Sequence, residues 1–164
     1  MIDRLSIIKS TKNKLWLNNG LVGACKGGHK DGHKDVVELI IGEGADDWNS
    51  GLRDPYEGGH KDLVTLMIIK GADDFSGGLN GACEGGHMNL VTLMIDNGTA
   101  YWSTGFYYAC KNGHEDIVYF MMCEGIRCWN IGLCGGCQGG HKDIAVLMIG
   151  TTVLIMLVVR IIKN

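Results

Sequence analysis

The sequence predicts an all-α fold built as a stack of short helix–turn–helix units, and two observations carry that reading. First, Gly-His recurs every 27 residues, at Gly59-His60, Gly86-His87, Gly113-His114 and Gly140-His141, with an aromatic residue in step as Trp48, Phe75, Trp102 and Trp129. A fixed period of this length marks repeated supersecondary units that bury their apolar faces against one another. Second, the apolar residues inside each unit are spaced by three and four, which is a helical period.

The unit at residues 75–101, FSGGLNGACEGGHMNLVTLMIDNGTAY, displays the elements in order. Leu79, Ala82 and Cys83 share one face of a first helix near Leu79 to Glu84, and Gly85-Gly86 end it. Leu90, Val91, Leu93, Met94 and Ile95 form the apolar face of a second helix near Met88 to Asp96, which Asn97-Gly98 terminate. Gly20, Gly51, Gly78, Gly105 and Gly132 recur at the start of the first helix, where a missing side chain permits close approach or a positive φ. Cys25, Cys83, Cys110 and Cys137 recur at one position, as small buried residues would. The aromatic at a fixed place in each unit reads as an internal ladder.

The chain divides into an N-terminal cap at residues 1–15, a repeat array at 16–149 and an apolar tail at 150–164. The units of the array are 16–47, 48–74, 75–101, 102–128 and 129–149. The first carries a duplicated Gly-His-Lys-Asp, a tolerated insertion of about one helical turn. The second has Asp54-Pro55-Tyr56 in its first helix, which is therefore expected to be short or distorted.

The pattern Leu-x-x-Ala-Cys-x-x-Gly-His-x-x-Leu-Val-x-x-Met-Ile-x-x-Gly-Ala resembles the ankyrin repeat. In HKDLVTLMIIKGAD, residues 60–73, the turn histidine, Leu63-Val64, Met67-Ile68 and Gly71-Ala72-Asp73 fall at that family's spacing, and Ala24-Cys25, Ala82-Cys83 and Ala109-Cys110 stand at its paired alanines. The resemblance spans about Trp16 to Ile149. Ankyrin units run to about 33 residues; the missing residues lie between Gly71-Ala72 and Leu79, where the family's β-hairpin belongs, and no hairpin is expected here. Such shortened arrays resemble those in proteins of large DNA viruses of amoebae. The resemblance implies an ankyrin-like solenoid, a turn histidine that braces the loop by hydrogen-bonding backbone groups, and a concave binding face reduced to its helix positions. Those positions are Arg53, Glu57, Asn80, Glu84, Tyr107, Lys111 and Gln138.

Function follows from the unit. The expected role is a non-catalytic protein–protein interaction scaffold, a viral or host-interaction protein acting as a monomer on another protein whose identity the sequence does not give. A net charge of −3, with basic and acidic residues mixed in four of the five units and no lysine or arginine in 75–101, leaves no basic footprint for nucleic acid. No enzyme activity and no cofactor are expected, since no third group orients a Cys-His pair and no strand leads into the Gly-Gly pairs. Zinc asks for four converging ligands; Cys134, Cys137 and His141 come nearest, while the Cys-x-x-x-His pairs are displaced along the stack. The stretch Met1 to Lys14 has no continuous apolar run and no small-residue cleavage site, and the seven cysteines are odd in number, so an intracellular compartment is expected. The alternative is a membrane-tethered adaptor anchored by Ile144 to Ile162, because no charge interrupts Ile144 to Val159. Against an anchor stand two structural alternatives, a capping helix or strand that covers the last unit and a tail that became apolar by losing the normal register.

Overall fold

The computed structural model describes residues 4–25, 34–50, 52–99 and 101–162. These residues form ten α-helices joined by short turns, with no strand among them. They fall into two compact units, Met1–Asp74 and Phe75–Asn164.

The first unit holds α1 (Arg4–Cys25), α2 (Lys34–Gly42), α3 (Arg53–Gly58) and α4 (Lys61–Lys70). The helix α1 packs on α2 and α3, and α3 packs on α4. It runs unbroken through Trp16, which is 68% exposed, so this aromatic stands in mid-helix on the surface and not in an internal ladder. The helix α3 has six residues with Pro55 in its first turn, where a lost N–H costs little. Tyr56 occupies the position that cysteine holds in other units and is buried; burial, with Asp74 nearby, pushes its hydroxyl far above the usual phenol range. The duplicated Gly-His-Lys-Asp and Gly51 lie outside the described residues.

Two asparagines bracket the connections of this unit. Asn18 Oδ1 accepts from the backbone N–H of Asp46 (3.0 Å) and Asp47 (3.3 Å). Asn49 Oδ1 does the same for Asp73 (3.0 Å) and Asp74 (3.2 Å). Each satisfies backbone donors that a hairpin would otherwise pair. Lys14 also bridges to Asp46, and with Asn18 it holds that exposed carboxyl below its ordinary range.

The second unit holds α5 (Phe75–Gly85), α6 (Met88–Asp96), α7 (Ser103–Asn112), α8 (Glu115–Cys123), α9 (Trp129–Gly139) and α10 (Lys142–Ile162). Three helix pairs repeat, α5/α6, α7/α8 and α9/α10, and the first members pack side by side as α5, α7 and α9. The first helix of each pair begins at or next to its aromatic, four residues earlier in α5 than the leucine spacing predicts. Trp102 caps the start of α7, and its indole N–H donates to Thr99 O at 2.7 Å. Leu90, Val91 and Met94 are fully buried, as are Ile117, Val118 and Met121 one unit later, whereas Leu93 is half-buried.

Gly105 and Gly132 lie within helices at ordinary φ, so they serve close approach and not a left-handed turn. A methyl group on Gly105 would lie 3.2 Å from Cys83 Sγ and Leu79 Cγ, and one on Gly132 would lie 2.5 Å from Phe106 Cε1. The packing tightens on α9, whose Gly132, Gly135, Gly136 and Gly139 recur along one face. A methyl group on Gly135 would lie 2.5 Å from Tyr107 O, and one on Gly139 would overlap Lys111 O. The backbone of α9 therefore rests on carbonyls of α7.

The row ends at α9. Cys83 and Cys110 are fully buried under the next helix of the row, whereas Cys137 is exposed and Leu133 half-buried, because no described helix follows. The expectation that all four recurrent cysteines are buried fails there for this reason. Residues 150–162 continue α10 as one helix, and Val153, Leu154, Leu157 and Ile161 on it are exposed. Among the described residues no helix is long and apolar enough to cross a membrane; the side chains of residues 155, 156, 158, 159 and 162, within the tail considered as an anchor, lie outside them.

Two glycine substitutions should have opposite signs. Gly135→Ala forces a carbon against an α7 carbonyl and is expected to cost about 1–3 kcal/mol. Gly150→Ala, where a methyl group meets nothing within 4 Å inside α10, is expected to stabilise by about 0.5–1 kcal/mol. Urea unfolding monitored by circular dichroism checks both.

Candidate functional site

The Gly-His turns set the helix pairs against one another. Gly59, Gly86, Gly113 and Gly140 all have φ between 75° and 79°, the left-handed region in which glycine is unstrained. The following histidine opens the second helix through its backbone: His87 O accepts from Val91 N, and His114 O from Val118 N, each at 3.0 Å. Its side chain makes no capping bond and is left for another task. The His114 ring reaches back to the preceding pair, where Nε2 lies 3.0 Å from Glu84 O. A methyl group on Gly86 would fall 2.5 Å from Cε1 of that ring, and one on Gly113 would fall 2.5 Å from Cε1 of His141. Gly86 and Gly113 thus answer two demands, a positive φ and room for the imidazole of the next pair. The resemblance implies that a turn histidine braces backbone, and the geometry adds that the backbone belongs to the preceding unit.

The residues expected to bind a partner separate into groups. On α7 and α9, Tyr107, Lys111 and Gln138 come together. Lys111 Nζ stands 5.9 Å from the centroid of the Tyr107 ring, within cation–π range, and the Tyr107 hydroxyl donates to Gln138 Oε1. Tyr108 meets Tyr107 edge-on, with centroids 5.3 Å apart at 73°. Gln138 Nε2 also donates to Cys134 Sγ at 3.6 Å. The Tyr107 ring is thereby held on three sides and half-buried. Asn80 and Glu84 lie one unit earlier on α5, both half-buried, and Glu84 engages His114 only through its backbone carbonyl. Glu57 is exposed on α3 in the other compact unit, and the side chain of Arg53 lies outside the described residues.

The linkage of Tyr107 to Gln138 and Cys134 escaped sequence reasoning. The three residues are 27 and four positions apart, and only packing of α7 on α9 makes neighbours of them. The Asn18 and Asn49 brackets left one signal, an asparagine three residues before Leu21 and Leu52 with Asp-Asp in the connection that follows.

Among the described residues, no group of three or more His, Cys, Asp or Glu could hold a metal ion. A crevice lined by Glu115, Val118, Tyr119, Asp143, Ile144 and Leu147 has a volume of about 10 Å³, room for about one water and far too small for an organic ligand. The cysteines differ sharply in chemistry. Burial pushes the Cys83 and Cys110 thiols up to about 12, so both stay protonated at neutral pH. Cys123, Cys134 and Cys137 are exposed.

No protein-family model matches the chain, and no curated protein matches its sequence.

Thiol labelling checks the burial pattern. At pH 8, iodoacetamide should modify Cys123, Cys134 and Cys137 in the native protein and reach Cys25, Cys83 and Cys110 only after unfolding, with peptide mass spectrometry reading the sites. Early labelling of Cys83 would mean that α7 does not cover it.

Proposed function

We propose that this chain is a non-catalytic protein-binding scaffold made of shortened ankyrin-like helix pairs stacked as a solenoid. The observation that carries the reading is the contrast between frame and surface at repeated positions. Leu79 and Phe106, Ala82 and Ala109, and Cys83 and Cys110 repeat as buried pairs. Beside them, Asn80, Tyr107 and Cys134 occupy one surface register, and Glu84, Lys111 and Gln138 another. A uniform core under a changing surface is how repeat proteins present recognition faces. Tyr107 is the anchor of that face, since a rigid aromatic with a polar tip gives large contact area at low entropic cost. The charge balance speaks against nucleic acid as the partner. Arg53 and Glu57 are the counterparts of this face in the other compact unit.

Replacing Tyr107 and Lys111 together by alanine should abolish capture of the protein that wild type retrieves from its host cell. The helical circular-dichroism signal should persist, with Tm lowered by less than about 4 °C. Retention of that partner by the double variant would remove the face from consideration.

A membrane-tethered adaptor is the second reading, and the exposed Val153, Leu154, Leu157 and Ile161 on α10 favour it. Detergent phase partition separates the two. The scaffold reading expects full-length protein in the aqueous phase, and recovery in the detergent phase, reversed by Leu154→Ser with Leu157→Ser, would establish the tether.

A further inference from the structure

We propose that Cys134 and Cys137 form a two-thiolate site for a soft monovalent cation, of which Cu(I) is the representative. The proposal stands apart from the protein-binding reading and rests on where α9 places its thiols. Both cysteines are free and exposed, and they lie three residues apart within one helix. Helical geometry puts their Cα atoms about 5 Å apart and their Cβ atoms about 5–6 Å apart on one face. Only Gly135 and Gly136 intervene, and neither carries a side chain that could stand between the sulfurs. Gln138 Nε2 donates to Cys134 Sγ at 3.6 Å, which fixes that sulfur on the exposed side of α9.

The same geometry selects the ligand. A direct disulfide would require the Cβ atoms to close to about 3.5–4.5 Å. The backbone between the cysteines resists that movement, since Gly135 rests against Tyr107 O and Gly136 against Ile144. An ion between the sulfurs removes the need. Metal–thiolate bonds near 2.3 Å, the value for zinc, place the sulfurs more than twice as far apart as the roughly 2.0 Å of a direct S–S bond. Zinc itself wants four ligands, and the described residues supply no third. Thiolate pairs suit a soft ion content with two donors, which is the chemistry of Cu(I). Binding releases two thiol protons and leaves an S–Cu–S unit of net charge −1, with no change of oxidation state. The other recurrent cysteines lack both conditions. Cys83 and Cys110 are buried, their thiols pushed up to about 12, and Tyr107 and Asn80 stand where Cys134 would supply the second sulfur.

The experiment titrates the reduced full-length chain anaerobically with Cu(I) against bicinchoninate, with X-ray absorption on the loaded sample. One equivalent should be retained, with two sulfur neighbours and no nitrogen. Cys134→Ser and Cys137→Ser should each abolish retention, while Cys123→Ser and His141→Ala should leave it unchanged, all with wild-type helical circular dichroism. The proposal is overturned if wild type yields its copper to the chelator, if retention survives Cys134→Ser, or if the spectrum contains a nitrogen ligand that His141→Ala removes.

Discussion

Everything in the second compact unit depends on how closely one helix pair can approach the next. A pair such as α5/α6 cannot enclose a core alone, so its Leu79, Cys83 and Met94 need a neighbour before they leave water. Glycine makes the approach close. Gly105 admits Leu79 and Cys83 to the surface of α7, and Gly135 and Gly139 bring the backbone of α9 onto the carbonyls of Tyr107 and Lys111. At the turn, the His114 and His141 rings enter space left open above Gly86 and Gly113. Glycine in a helix interior carries an entropic cost of about 0.5–1 kcal/mol relative to alanine, and the four in α9 are offset by burial that a Cβ would prevent.

The histidine links this constraint to the surface that recognition would use. Its backbone opens the second helix of its own pair while its ring takes a carbonyl of the preceding first helix, as in His114 to Glu84. One residue therefore sets both a helix start and the spacing between pairs. That spacing places Tyr107 on α7 within reach of Gln138 on α9 and, through Gln138, in the neighbourhood of Cys134. The first compact unit secures its connections with Asn18 and Asn49, each of which accepts from two backbone N–H groups.

The end of the row changes the chemistry of a repeated residue without changing the residue. Cys83 and Cys110 lie under the next helix, where desolvation holds them as thiols. Cys137 occupies the same register and is exposed, with a second thiol beside it on the same face. The helix α10 departs from its predecessors in the same region, since it runs on past the point where α6 and α8 stop at glycine-containing turns and presents an apolar surface.

The sequence by itself determined the helical class, the period and the buried register, because spacings of three and four and a recurring Gly-His are local signals that survive without neighbours. Leu90, Val91 and Met94 were legible in that way. The length of α5 was not, since its start at Phe75 has no leucine periodicity to announce it. The use of the helix glycines also lay outside local reasoning, which leaves positive φ and close approach equally open at Gly105 and Gly132. Only tertiary structure decided for close approach there, buried Cys83 but not Cys137, and gathered Tyr107, Lys111 and Gln138 on α7 and α9. The physical reason is that burial and contact between units depend on which helix lies alongside, and a repeat pattern gives the same residue the same letter whether or not a neighbour covers it.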